Sequence, residues 1–184
     1  MTAAQGDDGI VVAARGATPS LGRRMACFVY EATLLFGLAL IPGVLGALFV
    51  AQTGQRHPLQ SETALRTYAF VLYGVYFVWL WSKRGQTLAM QTWRIRLVTA
   101  AGAPVSQGRA LARYLACCSV WFGPATLISS ALHWSPARSL VAVAAGIAGW
   151  ALLALVEPER QFWHDRLCGT RLVNAARKAA PARG

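Results

Sequence analysis

Long apolar runs constrain this chain more than any other feature of its sequence. We place them at about 25–51, 64–82, 110–132 and 137–156. Each is close to the ~20 residues with which an α-helix crosses ~30 Å of hydrocarbon. A helix also satisfies the backbone polar groups within its own segment, where lipid offers them no partner. We therefore predict an all-α membrane protein whose fold is a bundle of four transmembrane helices.

The composition agrees with a membrane protein and decides how the net charge is interpreted. Hydrophobic residues make up 55% of the chain and charged residues only 14%, against roughly 25% charged residues in a soluble domain. The net charge is +11, and in such a chain cationic flanks anchor helices and contact anionic lipid. We expect the lipid bilayer, with anionic lipid at the cytoplasmic face, as the partner. No nucleic acid is expected, because no nucleic-acid-binding motif is visible.

The distribution of the basic residues predicts the orientation. Fifteen of the eighteen lie before the first run, between the second run and the first turn of the third, or after the fourth. The positive-inside rule then places both termini in the cytoplasm. Sixteen of the eighteen are Arg, which suggests a GC-rich bacterial genome and hence a bacterial inner membrane. Residues 1–19 and 176–184 are predicted to be a disordered tail and a basic tail on either side of a membrane domain at 20–175.

The segment that follows the second run has the period of a β-strand. In WRIRLV, residues 93–98, Trp93, Ile95 and Leu97 alternate with basic and apolar residues. A similar stretch, GTRLVNA, recurs at 169–175. We predict that the two stretches form a short strand pair on the cytoplasmic surface. The alternative is an amphipathic helix in the membrane interface, and the pattern does not decide between them.

A carboxylate inside the first run is the clearest candidate site. Glu31 lies seven residues after Arg24, hence about 10 Å deeper and on the same helix face. An isolated charge at that depth costs ~2.5–3.5 kcal/mol, so Glu31 should face the bundle and not lipid. Counting residues from the cytoplasmic ends of the other runs, we predict an intramembrane polar site in which Glu31 meets some of Tyr76, Arg113 and Ser119. Arg24 is included in this predicted site.

Three roles for Glu31 are open on the sequence alone. Bonds to an arginine and to hydroxyl groups can fix the register of the helices. A carboxylate that is protonated, or wetted from the cytoplasm, can instead bind a proton or a small cation. The position can also be incidental.

Three stretches of the chain resemble motifs of the RDD family of membrane proteins. They are LGRRMACFVYE at 21–31, GQTLAMQTWRIRLVTAAGAPVSQGRALARYL at 85–115 and HDRLCGTRLV at 164–173. The resemblance implies that Arg24, Glu31 and Asp165 occupy the family's arginine and its two acidic positions, with Glu31 in place of the usual Asp. Family members more often have three spans. Most have no established activity, although some have been linked to cation or proton exchange and others to the assembly of partner membrane proteins.

The second family acid stands in a polar context at the C-terminal end. Asp165 lies between His164 and Arg166. We expect it to make a salt bridge at the cytoplasmic surface or to cap a helix. His164 belongs to the one residue type that ordinarily titrates near neutral pH.

The sequence shows no pattern typical of an enzyme or of a cofactor site. We see no nucleophile–base pair, phosphate loop or metal-ligand cluster, so we expect neither an enzyme nor a cofactor. The four cysteines form no CxxC and are expected to be reduced and structural. The leading hypothesis is transport of a small cation or proton through Glu31. The alternative is a membrane scaffold or assembly factor, with a second copy or another membrane protein as partner. It would use its basic cytoplasmic face and the small residues of the fourth run, which are Ala142, Ala145, Gly146 and Gly149.

Overall fold

A computed structural model describes residues 17–54, 62–121, 131–157 and 160–175, together with positions 124, 127 and 128. The protein is mostly helical, with one small sheet. Its elements in chain order are α1 (Leu21–Thr53), α2 (Glu62–Arg84), α3 (Leu88–Thr92), β1 (Ile95–Thr99), α4 (Gln107–Trp121), α5 (Pro136–Val156), α6 (Trp163–Leu167) and β2 (Thr170–Asn174).

Three helices are long and apolar enough to cross a membrane. They span Leu21–Thr53, Thr63–Arg84 and Ala137–Val156, and they confirm the first, second and fourth predicted spans. The third predicted span, 110–132, is represented by α4, which has 15 residues. Much of the stretch that follows α4 lies outside the described residues. A bundle of four membrane-spanning helices is therefore not confirmed.

The long helices begin and end where their sequences provide capping residues. The Ser20 side chain accepts a hydrogen bond from the backbone of Arg23 at the start of α1, and Gly54 ends that helix with a left-handed φ of 66°. α5 starts in the same way, because Ser135 caps it and Pro136 occupies its first position.

The predicted strand pair is confirmed, and the amphipathic-helix alternative is wrong. β1 and β2 pair antiparallel with Leu97 opposite Leu172 and Thr99 opposite Thr170. Ile95 and Leu97 are each 1% exposed and belong to the main core. The apolar alternation noted in the sequence is thus the face on which the sheet packs.

The strand pair organises one end of the protein. We call residues 85–106 and 160–175 the sheet layer; it contains α3, β1, α6 and β2. The start of the chain joins it: Asn174 donates two hydrogen bonds to the Ala17 carbonyl, and Arg23 donates one to Asn174. Most of the predicted tail 1–19, and all of the tail 176–184, lie outside the described residues, but residues 17–19 pack on the sheet layer.

The buried apolar core sits between the sheet layer and the adjoining helix ends. Its members come from both: Trp81, Ala89, Met90, Ile95, Leu97, Val105, Ala110, Tyr114, Ala154, Phe162 and Leu172. Along the rest of α1, by contrast, large apolar side chains such as Phe36 and Leu45 are more than half exposed. Those surfaces suit contact with hydrocarbon, so the folded core lies at one end of the helices and the apolar faces extend from it.

Candidate functional site

The inward face of α1 carries the first part of the site. Arg24, Cys27 and Glu31 are the buried residues of its first three turns, and Glu31 is 7% exposed. Val29 and Tyr30, on the other side of the helix, are 61% and 44% exposed. Spacings of three, four and seven residues bring side chains onto one helical face. Glu31 is therefore sheltered by the protein, as its depth required.

Two hydroxyl groups hold the Glu31 carboxylate. Tyr76 donates a hydrogen bond of 2.6 Å to Oε1. Thr87 donates a short hydrogen bond to Oε2 and is itself 0% exposed. The same Thr87 oxygen accepts a bond from the Met90 backbone and so caps α3. Each carboxylate oxygen thus has one neutral hydroxyl donor.

The turn between α2 and α3 brings Thr87 to Glu31. Gly85 ends α2 with a φ of 65°, and a Cβ there would lie 2.8 Å from the Leu97 carbonyl oxygen. Only glycine fits that backbone without strain. The chain consequently reverses within two residues and returns Thr87 beneath α1. Sequence reasoning missed Thr87, although its place in the GQT triplet, just before a short helix, is a capping signal.

Arg113 does not meet Glu31, and that part of the prediction is wrong. Its Nε lies 2.7 Å from Asp165 Oδ1 in an ion pair whose side chains are 7% and 0% exposed. The Arg113 guanidinium also lies 4.3 Å from the centre of the Trp81 ring. The Thr170 hydroxyl adds bonds to the Asp165 carboxylate and carbonyl. α6 packs on the start of α4. Asp165 therefore contacts Arg113 near that end of α4, and Arg113 does not pair with Glu31.

Ser119 does not join the site either. It is exposed, whereas Arg113 and Tyr114 on the same helix are buried. Six residues turn an α-helix by about 240°, so Ser119 faces away from the side that carries Arg113. Of the three side chains predicted to meet Glu31, the structure brings only Tyr76 to it.

Arg24 forms the edge of a stack of rings. Its guanidinium lies 4.4 Å from the centre of the Phe162 ring, and the residue is 4% exposed. Phe162 in turn stacks on His164, with ring centres 5.4 Å apart. The Nε and Nη1 atoms of Arg24 are buried and have no hydrogen-bond partner among the described residues. Arg24 therefore belongs with α6 and Asp165, and not with Glu31.

His164 is a neutral member of this stack. The Trp150 indole donates a hydrogen bond of 3.3 Å to His164 Nδ1, and Nε2 lies 3.7 Å from Asp165 Oδ1. Burial lowers the pKa of His164 from 6.5 to about 4 because the protein interior disfavours the charged ring. The imidazole is consequently uncharged at neutral pH, which the sequence position alone did not indicate.

The site offers oxygen atoms and guanidinium groups and no transition-metal ligand set. Within the described residues, no group of three or more His, Cys, Asp or Glu side chains is placed to hold a metal ion. The four cysteines are free thiols. The arrangement thus consists of a hydroxyl-bound carboxylate, Glu31, and a buried ion pair, Arg113–Asp165, with Arg24 and His164 stacked beside it.

These features define a membrane protein whose buried polar residues cluster under a small sheet at one end of apolar helices. The RDD family model matches residues 18–169, and the chain belongs to the RDD family. That match spans all three motifs noted in the sequence except the last four residues of the third. No curated protein and no solved structure matches the chain.

Proposed function

We propose that this RDD-family protein transports a small cation or proton and that Glu31 binds the transported ion. The observation that carries the proposal is the pair of hydroxyl contacts on Glu31. Carboxylate and hydroxyl oxygens are the ligands that hard cations prefer. A carboxylate with neutral donors can bind a proton or a cation in turn, whereas a bound arginine would hold it permanently ionised.

The distribution of buried charge supports this assignment. Arg113, the cation nearest in the sequence-based prediction, is committed to Asp165 at 2.7 Å. Within the described residues Glu31 has no basic side chain in ion-pair contact. A buried carboxylate without a fixed countercharge gains most from a proton or a mobile cation.

We also propose four membrane crossings, with the sheet layer in the cytoplasm of a bacterial inner membrane. α1 starts at the sheet layer and α2 ends there, while α4 starts at it and α5 ends at it. The 21 residues of α5 extend about 30 Å from the sheet layer, so α4 and α5 are the third and fourth crossings of this proposal. The excess of basic residues on the sheet-layer side supports the cytoplasmic assignment.

Ion flux in proteoliposomes tests the role of Glu31. We expect wild-type protein to dissipate an imposed pH gradient when a monovalent cation is supplied on the opposite side. Glu31→Gln keeps the shape of the side chain and removes its charge, so flux should fall to the level of empty liposomes. Glu157→Gln is the matched control, because it makes the same change at a carboxylate that pairs with Arg166 of the sheet layer.

Two outcomes would contradict the proposal. Equal flux in wild type and Glu31→Gln would exclude Glu31 as the ion-binding group. Absence of flux in both, with correctly folded protein, would exclude transport of the cations tested and leave the scaffold function as the better account.

One observation favours the scaffold function. Gly146 and Gly149 of α5 are exposed, and a Cβ built on either would meet nothing within 4 Å. These two glycines thus have no close neighbour within the described part of the protomer. Each is four residues after an alanine, Ala142 or Ala145, and small residues four apart allow close helix contact. Gly146→Leu should abolish a dimer detected by crosslinking in membranes if this face joins two copies, and leave it intact if it does not.

A further inference from the structure

We propose that α6 lies in the membrane interface, with its outer face in contact with the acyl chains of the lipid leaflet next to the sheet layer. The outer face consists of Trp163 and Leu167, which lie one helical turn apart. The partner is therefore a lipid surface, and the contact adds a part of the sheet layer to the lipid-facing surface of the long helices. The inference does not depend on ion binding by Glu31.

α6 has the reverse of the amphipathic pattern that a helix adopts beside water. Its outer residues Trp163 and Leu167 are 53% and 76% exposed, while His164 and Asp165 are 2% and 0% exposed. A helix on a water-facing surface buries its apolar side chains and exposes its polar ones. In α6 the polar side is buried in the protein, where Asp165 pairs with Arg113, and the apolar side is exposed. This pattern suits a helix whose outer surroundings are hydrocarbon.

Contacts with α5 place α6 alongside the last two turns of that helix. The Trp150 indole donates a hydrogen bond of 3.3 Å to His164 Nδ1. The Arg166 guanidinium lies 3.2 Å from Oε1 of Glu157, the residue that follows α5. Trp150 and Glu157 are seven residues apart, which corresponds to about 10 Å along a helix. α6 therefore lies at the level of residues 150–157.

The same stretch of α5 has the surface of a membrane-spanning helix. The large apolar side chains of Leu152, Leu153, Leu155 and Val156 are between 48% and 83% exposed. α5 is long and apolar enough to cross a membrane over Ala137–Val156, so these side chains face acyl chains when it does. Because α6 lies at their level, its exposed outer face adjoins the same leaflet.

The residue types of α6 are those of helices that lie in a membrane interface. Tryptophan is enriched where the hydrocarbon meets the lipid headgroups. The Arg166 side chain is 73% exposed, and its aliphatic part can lie along apolar surface while its charged end stays in water. Trp163 and Leu167 on one face, with an arginine beside them, match this interfacial pattern. α6 thus separates the Arg113–Asp165 pair from lipid.

Spin labels on introduced cysteines test the lipid contact in the full chain, reconstituted in liposomes after the four native cysteines are replaced by alanine. A label on Leu167→Cys should collide often with oxygen, which dissolves in hydrocarbon, and rarely with a water-soluble nickel chelate. Leu152→Cys on α5 is the lipid reference, and Ala100→Cys in the exposed turn after β1 is the water reference. The ratio of oxygen to nickel collisions for Leu167→Cys should equal that for Leu152→Cys and exceed that for Ala100→Cys.

Two results would overturn the proposal. A collision ratio equal to that of Ala100→Cys would place the outer face of α6 in water. Poor access of both reagents to Leu167→Cys would show that protein, such as a second copy of the chain, covers this face.

Fluorescence provides the test in protein that keeps its native cysteines, should the cysteine-free protein fail to fold. Brominated lipid should quench the part of the wild-type emission that Trp163→Phe removes. Trp93→Phe is the matched control, because Trp93 packs against the buried core, and the emission that it removes should be insensitive to brominated lipid. If aqueous iodide quenches the Trp163 emission and brominated lipid does not, α6 does not contact the leaflet.

Discussion

At Glu31, two neutral hydroxyl groups stand where a buried carboxylate commonly has an arginine. Tyr76 and Thr87 each donate to one carboxylate oxygen. Hydrogen bonds to a charged group contribute about 1.5–3 kcal/mol each. The two donors thereby hold the side chain in position.

Replacing Thr87 should separate these contributions. Thr87→Val keeps the shape of the residue but leaves Oε2 of Glu31 without its donor and α3 without its cap. We expect the free energy of unfolding to fall by about 1–3 kcal/mol. Thr92→Val is the matched control, since Thr92 is exposed and lies in the same short helix. Thermal unfolding in detergent measures both, and equal melting temperatures would contradict the assigned role of Thr87.

His164 should make stability depend on pH. Its folded-state pKa of about 4 lies below the ordinary 6.5, so the unfolded chain binds the proton more readily between these values. The stabilisation is complete above pH 6.5 and is lost as the pH falls towards 4, on the order of 3 kcal/mol in all. His164→Gln should flatten the dependence of the melting temperature on pH over this window. An equally steep dependence in the variant would assign the titration to another group.

The sequence predicts the position of a side chain along a helix better than the face or the turn on which it lies. Tyr76 was predicted because a residue count from the end of α2 gives its height, and height along a helix is a simple function of residue number. Thr87 was missed because its position depends on the reversal at Gly85, which no helical count describes. Ser119 was wrongly included because height alone does not specify which face of α4 a residue occupies.

At the scale of elements, the junction of α4 with α6 is fixed by a buried ion pair. Arg113 and Asp165 are 52 residues apart in sequence, and no local pattern relates them. The expected salt bridge of Asp165 does occur, but it is buried and its partner is on α4. Such long-range pairing comes from packing of the sheet layer, so a single sequence does not contain a signal for it.

Breaking this pair should be costly. Arg113→Gln leaves the Asp165 carboxylate buried without its countercharge, and we expect a loss of about 3–5 kcal/mol in the free energy of unfolding. Arg166→Gln is the control, because the Arg166 side chain is 73% exposed in its pair with Glu157 and exposed pairs contribute about 1 kcal/mol or less. Similar losses in the two variants would show that the Arg113–Asp165 pair does not stabilise the junction.

Spans and strands were more predictable than the contacts between them. Apolar runs long enough to cross hydrocarbon identified α1, α2 and α5. A period of two favoured β1, and a similar stretch of sequence favoured β2, although the pattern left an amphipathic helix open. These patterns are local consequences of which face is buried. The third predicted span has the weakest pattern of the four. Its helix, α4, carries Arg109 and Arg113 and has only 15 residues in the described part of the chain.

On the scale of the whole molecule, the folded core and the apolar helix surfaces are separate. The core lies at the sheet layer, while long stretches of α1 and α5 expose large side chains to hydrocarbon. The helices therefore pack tightly at one end only. Polar residues such as Glu31 occupy the boundary between the two regions, where the protein shelters them.

Labelling of introduced cysteines tests the proposed orientation. In protein whose four native cysteines are replaced by alanine, Ala100→Cys in the exposed turn after β1 should react with an impermeant reagent only from the cytoplasmic side. Ser135→Cys, at the exposed start of α5, should react only from the opposite side. Reaction of both from the same side would contradict the four crossings, and reaction of Ala100→Cys from the opposite side would contradict the orientation.

Infrared difference spectroscopy of the wild-type protein offers the most direct test of the central claim, that Glu31 exchanges a proton for a cation in its hydroxyl-lined site. The account predicts a protonated-carboxyl band that shifts with the donors Tyr76 and Thr87, decreases when a transported cation is added, and is missing from Glu31→Gln. A band that is unaffected by cations, or that persists unchanged in Glu31→Gln, would contradict it.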